Sequence, residues 1–345
     1  MSGIIYSKNS GHNNVALGKI DTPVKMLLES EAEKYERETP FIKKVFIHEK
    51  SNNFGETIAA SSSLGVFTAM NEGARAENDS ISETYKKFIQ HVTFGKEFTV
   101  TQEMVEDAKN NIASELGRRA RAFISAYYMT RDKLGAQALI NGTSTTMTFA
   151  KAKIDLSVYD GKPLFHKAHT FTTPEMAKKN QSNRYWTDLS TPENIQSALA
   201  ATSCVQRNML DENGETIEYL SDVILIPGDC PVFEHQLKAV CGTERVAGSA
   251  NNDINTQYGN WGIVVVPGWR TGGAPKMMVM SSVANRNLAG NLFFNRVPLT
   301  INSWQDQHTW DFIYAGRCRF SVGFGSYKHI ILCEGAENGD ATKLY

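Results

Sequence analysis

The sequence predicts an α+β fold, and three observations carry that prediction. Apolar residues at three-and-four spacing continue over residues 101–140, much longer than an ordinary globular helix. Short apolar strands, two of them ended by proline, follow without regular strand–helix alternation or an internal repeat. Ahead of the helix, two strand-like pieces bracket a polar stretch far longer than a turn needs.

The first forty residues are polar, with a short charged helical pattern at 24–37 bounded by Pro23 and Pro40. A segment with so little apolar surface is either a frayed terminus or an arm that orders against a neighbouring copy. Next come strand-like Val45-Phe46-Ile47 and the run 88–94, enclosing a stretch rich in Ser, Asn, Gly and Glu. Folded back on itself, the stretch 50–85 would reach roughly 55 Å.

In the helical run, Val105, Ala108, Ile112, Leu116, Ala120, Phe123, Tyr127, Leu134 and Ala138 form one apolar stripe, interrupted by Arg131. Thr101 suits the N-cap, Glu103, Glu106 and Asp107 suit the positive end of the dipole, and Asn141-Gly142 supplies the stop. As one rod it would be about 58 Å long, against about 52 Å for the diameter of a compact globule of this chain length. Gly117 and Gly135 mark where a kink would divide it into two successive helices.

Beyond the rod, a strand at 153–158 ends in the turn Tyr159-Asp160-Gly161-Lys162-Pro163. A helix begins with Thr191 as cap and Pro192 in its first turn, and carries Ile195, Leu199, Thr202, Val205 and Met209 on one face. Buried-type strands are expected at 223–226, 263–266, 277–280 and 292–294. The stretch 309–322 alternates through Trp310, Phe312, Tyr314, Cys318, Phe320 and Val322, and 330–333 closes the set.

Composition narrows the function. The 345 residues, 41% hydrophobic, suffice for a substantial core. A formal net charge of −1 argues against tight nucleic-acid binding, which needs many phosphates neutralised, and leaves room for weak nonspecific contact. Cys204, Cys230, Cys241, Cys318 and Cys333 are odd in number and lie in or beside apolar stretches, as expected of reduced thiols. The N-terminus lacks the apolar region of a signal peptide, and no apolar run reaches the length of a membrane span.

A search for catalytic chemistry yields no catalytic, cofactor-binding or metal-ligating residues. His166 and His169 have the spacing of two ligands on a helix, but Pro163 is close by and no third ligand or glutamate base stands at a recognisable spacing. The glycine-rich run 268–276 fails as a phosphate loop, because Pro275 removes a donor and Met277 stands where magnesium needs a hydroxyl. Gly323-Phe324-Gly325 lacks the third glycine and the following helix of a dinucleotide site. Cys230 and His235 have neither an orienting acid nor an oxyanion hole.

One resemblance accounts for the order of elements. The run 95–107 (Gly-Lys-Glu-Phe-Thr-Val-Thr-Gln-Glu-Met-Val-Glu-Asp) leading into the rod, the run 160–169 (Asp-Gly-Lys-Pro-Leu-Phe-His-Lys-Ala-His), and the run 222–227 (Asp-Val-Ile-Leu-Ile-Pro) before a helix at 230–240 carry it. Together they resemble the major capsid protein of tailed bacteriophages, with the Hong Kong ninety-seven fold, in its Mu-like head subunit branch. The match in order covers most of the chain.

That resemblance implies an N-terminal arm at 1–44, an extended loop at 45–95, and a peripheral domain at 96–190 and 298–336 with its spine helix at 101–140. It further implies an axial domain at 191–297 and a C-terminal tail at 337–345. The implied function is that of a non-enzymatic head-shell subunit, without cofactor, assembling into hexamers and pentamers of an icosahedral head around double-stranded DNA. Portal and scaffolding proteins are the implied partners, and the virion, assembled in the host cytoplasm, the implied location. Some relatives carry an N-terminal scaffolding region that a protease removes; the arm here starts at Met1 without one, so either a separate scaffold is expected or this branch differs. In some relatives a loop lysine cross-links to a neighbour's asparagine; Lys50, Lys86 and Lys87 lie in the loop, but no motif identifies a partner. The alternatives are a bacterial nanocompartment shell of the same fold and, more distantly, a metal-dependent hydrolase using His166 and His169.

Overall fold

A computed structural model describes residues 5–6, 30, 32–35, 41–61, 69–70, 83–107, 112–171, 173, 176, 178–245 and 254–345. Most of the segment expected to be an arm, and residues 62–68 and 71–82 of the expected loop, lie outside the described residues. The chain forms two compact units. One comprises Met1–Glu56, Gln90–Gly135 and Phe293–Val322; the other comprises Thr57–Ile89, Ala136–Leu292 and Gly323–Tyr345.

The first unit is built on a five-stranded sheet. Its order is Ile5–Tyr6, Asn291–Gln305, Phe312–Phe324, Val92–Val100, with Ile47–Lys50 also pairing with Asn291–Gln305. Phe312–Phe324 and Val92–Val100 run antiparallel, from Phe312 opposite Val100 to Phe320 opposite Val92. The alternating side chains Phe312, Tyr314, Cys318 and Phe320 are buried, and Phe98 stacks on Tyr314 at 4.9 Å and meets Phe123 of the long helix at 5.3 Å. Gly316 fills the gap in that alternation because a Cβ there would lie 2.4 Å from Phe123 Cζ.

Helix occupies Gln102–Asp107 and Ile112–Ile140, and residues 108–111 between them lie outside the described residues. The 29 residues of the second helix span about 44 Å. Gly117 and Gly135, the expected kink points, lie inside this continuous helix. At Gly135 a Cβ would stand 3.0 Å from Ile42 Cδ1 and 3.1 Å from Phe46 Cε2, so the glycine serves a close approach. Arg131 does not break the apolar stripe either. It is buried with its guanidinium 5.5, 5.8 and 5.1 Å from the rings of Tyr127, Tyr128 and Phe293.

Three local expectations need correction. Val45 and Phe46 do not begin a strand: Phe41–Val45 is helical, and the strand is Ile47–Lys50. Phe41, Ile42 and Val45 turn one face inward, and Asp132 Oδ1 accepts from Ile42 N at 3.1 Å, so a distant carboxylate holds a segment too short to show a period. The strand expected at 292–294 runs on to Gln305 through Pro298. Pro298 falls between Asn295, whose carbonyl accepts from Ser51 N, and Thr300–Ile301, which pair with Ile5 and Tyr6. Trp310 does not face inward as the alternation suggests; it is 66% exposed and precedes the strand.

The second unit holds a six-stranded mixed sheet. Its order is Gly262–Val266, Val223–Pro227, Lys276–Met280, Ile330–Glu334, Arg184–Trp186, Thr342–Lys343. The helices Pro192–Arg207 and Pro231–Gly242 pack on it through Ile195, Leu199, Phe233 and Leu237 against Ile224, Ile226, Met277 and Val279. Thr191 caps the first of these helices, its side chain accepting from Asn194 N, with proline in the first turn as expected. Ser281 caps a short helix, Ser282–Asn287, that no periodicity announces in the sequence. Thr342–Lys343, within the segment read as a tail, pairs in parallel with Tyr185 and Trp186. Separately, Gly55–Ser61 and Glu83–Gln90 form a two-stranded sheet of their own.

Candidate functional site

Several of the chemical candidates in the sequence have polar atoms engaged by the chain itself. His169 is fully buried, with Nδ1 2.8 Å from Asp160 Oδ2 and Nε2 3.2 Å from Asn183 Oδ1, and its ring stacks on Tyr327 at 3.7 Å. Both ring nitrogens are therefore engaged. His166 Nδ1 accepts from Ala168 N at 3.1 Å, and burial lowers its pKa. Through these bonds the pair helps to organise the turn after Asp160. Among the described residues, no three His, Cys, Asp or Glu side chains are grouped to hold a metal.

The loop at 268–276 has the inward backbone of an anion nest, with φ of 75°, 68° and 86° at Gly268, Gly272 and Gly273. Its anion is internal. Asp229 Oδ2 accepts from Thr271 N at 2.7 Å and from Gly272 N at 2.9 Å, and Thr271 Oγ1 donates to Ala274 O at 2.6 Å. Cys230 Sγ is buried beside Thr271 Oγ1 and Ala274 O, burial raises its pKa, and His235 stands exposed on the helix that follows. A raised pKa leaves less of the thiolate, the nucleophilic form, at neutral pH. Gly323 and Gly325 serve packing: a Cβ would meet Ile89 Cδ1 or Ala289 O, each at 2.3 Å.

Of the loop lysines, Lys50 and Lys86 are exposed, whereas Lys87 is buried and bonded to Asp155 and to Ser157 Oγ. Burial raises the Asp155 pKa, and the hydrogen bonds from Lys87 and Ser157 outweigh it, leaving the carboxyl below its ordinary value.

Two features were not legible as motifs. The first is a polar node where the extended strand Glu83–Gln90 gives way to Val92–Val100. His91 Nε2 lies 2.7 Å from Ser51 Oγ, and Nδ1 lies 2.8 Å from Ser321 Oγ. Ser51 Oγ donates to Glu56 Oε1 at 2.5 Å, so toward His91 it accepts, which makes Nε2 the protonated nitrogen. Burial lowers the His91 pKa first, and nearby Arg319 and Arg296 lower it further against the opposing charge of Glu56. These residues come from four chain segments and share no spacing that could have revealed them.

The second is the hairpin tip between Asn291–Gln305 and Phe312–Phe324. Trp304 and Trp310 are 42% and 66% exposed, and Trp310 has φ of +62°. Left-handed backbone at a bulky residue costs about 1–2 kcal/mol. The turn is held by Trp310 N to Asp306 O at 3.0 Å, Asp306 N to Asp311 O at 2.9 Å, Gln305 Nε2 to Trp310 O at 2.9 Å and His308 N to Asp306 Oδ1 at 2.8 Å. No helix among the described residues is long and apolar enough to cross a membrane.

Comparison with known proteins gives these surfaces their meaning. No curated protein matches the chain in sequence. Among solved structures, the mature capsid of bacteriophage PhiM1 is similar over 86% of this chain and 86% of its own, at 11% identity and a TM-score of 0.50. The capsid of an empty GTA particle covers 87% of this chain and 90% of its own, at 9% identity and a TM-score of 0.50. A structure from Mycobacterium phage Patience covers 97% and 94%, at 10% identity and a TM-score of 0.53. At such identities the likeness establishes the fold, that of the Hong Kong ninety-seven type capsids. The family described as phage capsid protein matches residues 84–332. The chain accordingly belongs to the phage capsid protein family: it is a major capsid subunit, a structural component of the virion shell that works by associating with itself, and a nanocompartment shell is not favoured.

Proposed function

We propose that the subunit forms hexamers and pentamers of an icosahedral head enclosing double-stranded DNA, with no enzymatic step of its own. The observation that carries this reading is the ribbon formed by Gly55–Ser61 and Glu83–Gln90, which joins neither large sheet. An isolated two-stranded ribbon is marginal in water, and Phe88 on it is 50% exposed. A neighbouring subunit would cover it. In this reading residues 1–44 are the arm, 45–95 the extended loop, 96–190 with 298–336 the peripheral domain around the helix of 101–140, 191–297 the axial domain and 337–345 the tail. Portal and scaffolding proteins join the shell in the host cytoplasm, and DNA contact is nonspecific, in keeping with the net charge of −1. Many contacts of modest size, repeated over the copies, sum to a stable container.

The test replaces residues 59–82 by a short turn, which spares Ser51, Glu56, His91 and the Lys87–Asp155 pair. The expected product has an unchanged circular dichroism spectrum and forms no closed shells by electron microscopy, whereas the unaltered chain does. Normal shells from the replacement would refute the role assigned to the loop.

A further inference from the structure

The hairpin tip and the exposed face of the long helix are complementary in chemistry. The tip, residues 304–311, presents two exposed indoles on a turn that four hydrogen bonds hold in place. Beside them stand the half-buried carboxylates of Asp306 and Asp311, each with one oxygen accepting a backbone N–H and neither in an ion pair among the described residues. An indole held out in water on a strained backbone gains nothing for the isolated subunit. Rigid, exposed tryptophan is the typical anchor of an interface, because it brings large area at little cost in rotamer freedom.

The helix Ile112–Ile140 carries a matching row. Arg121, Ser125, Met129 and Lys133 recur at four-residue spacing on the side away from the core; Arg121 and Lys133 are exposed and Met129 is 48% exposed. Beside them Ala122 is exposed and Ala126 is half-buried, so small side chains flank the row between the two cations. The row contains no acid. Guanidinium and thioether groups are the favoured partners of an indole face, and cations at both ends match a tip bearing two carboxylates.

We propose that the 304–311 tip of one copy docks on the Arg121–Met129–Lys133 row of a second copy, with Trp310 as its anchor. The two patches differ, so the contact is head-to-tail, the kind that closes into rings. The proposal rests on the shell reading above, because it takes a second copy as the occupant.

Two experiments on the full chain test it. Trp310→Gly removes the indole and places at φ +62° the residue that tolerates it. The expected variant melts no lower than the parent yet needs at least a tenfold higher subunit concentration to assemble, and Arg121→Glu with Lys133→Glu gives the same loss without a change in melting. Assembly at the parent concentration by either variant would overturn the proposal. In the second experiment, photo-crosslinking benzoylphenylalanine replaces Trp310 in assembled particles. A cross-link to the tryptic peptide 122–131 of another copy is expected; a cross-link elsewhere, or none, refutes the docking while leaving the shell intact. Failure of the unaltered chain to form any shell would remove both readings.

Discussion

Replacing Gly316 by alanine tests how the first unit is packed. A Cβ at this position would lie 2.4 Å from Phe123 Cζ, 3.0 Å from Phe123 Cε1 and 3.0 Å from Leu299 Cδ1, all well inside contact distance. The ring of Phe123 is itself fixed by Phe98 at 5.3 Å, which in turn stacks on Tyr314, so it cannot swing aside without moving a second aromatic. Overpacking of this kind costs about 1–3 kcal/mol, offset by about 0.4–1 kcal/mol from the lower entropy of the unfolded alanine chain. The net expectation is a loss near 1–2 kcal/mol, or roughly 2–8 °C in Tm for a domain of ordinary size. Phe123→Leu makes room at a cost of its own, and the double variant should recover at least half of the Gly316→Ala loss relative to Phe123→Leu alone. Thermal melts of the four proteins below assembly concentration, followed by near-ultraviolet circular dichroism, give the cycle. Strict additivity, or an alanine variant as stable as the parent, would show that the contact does not shape this core.

Acid should destabilise the subunit through its buried histidines. His329 is wholly buried, with Nε2 2.9 Å from Asn291 Oδ1, and burial pushes its pKa down to about 3. A base whose folded pKa lies below its unfolded value stabilises the fold above the unfolded value, and that contribution is lost as pH falls toward the folded one. Stability should therefore decline from about pH 6.5 to about pH 3, by up to roughly 5 kcal/mol from this group. His91, also shifted down, acts in the same sense, so His91→Gln should flatten the upper part of the decline; Tm measured against pH reads both, and a parent whose Tm rises on acidification would contradict them. The buried pair Lys328–Glu212, at 2.8 Å and with both side chains 6% exposed, offers a separate check. Glu212→Gln alone should cost about 3–5 kcal/mol by stranding the ammonium among Tyr159, Phe171 and Tyr327, and adding Lys328→Met should recover much of it; urea unfolding of the single and double variants measures both.

Elements whose stability is local were legible in the sequence. The helix capped by Thr191, the strand that ends at Pro227, and the stripe along 120–138 follow from caps, proline and period, each within a few residues of its determinant. The helix Phe41–Val45 was not legible, because Asp132 and the notch at Gly135 that hold it lie some ninety residues away. The strand through Pro298 was hidden for a similar reason: whether a missing N–H matters depends on which strand lies opposite. At the candidate site the sequence could supply only an absence of catalytic pattern, and no spacing links Ser51, Glu56, His91 and Ser321, or marks Trp310 as outward.

By itself the sequence determined the α+β class and the long helix, since these depend on periodicity and on the succession of segments, and its resemblance pointed to the capsid family. Only the tertiary structure decided the fate of each polar group. It gave the anion nest at 268–276 to Asp229, both nitrogens of His169 to Asp160 and Asn183, and Lys87 to Asp155, while it left Trp304 and Trp310 in water. The physical reason is range. A period or a cap is felt within one or two turns of chain, whereas desolvation and hydrogen bonding depend on whichever atoms folding brings near, from any distance along the sequence.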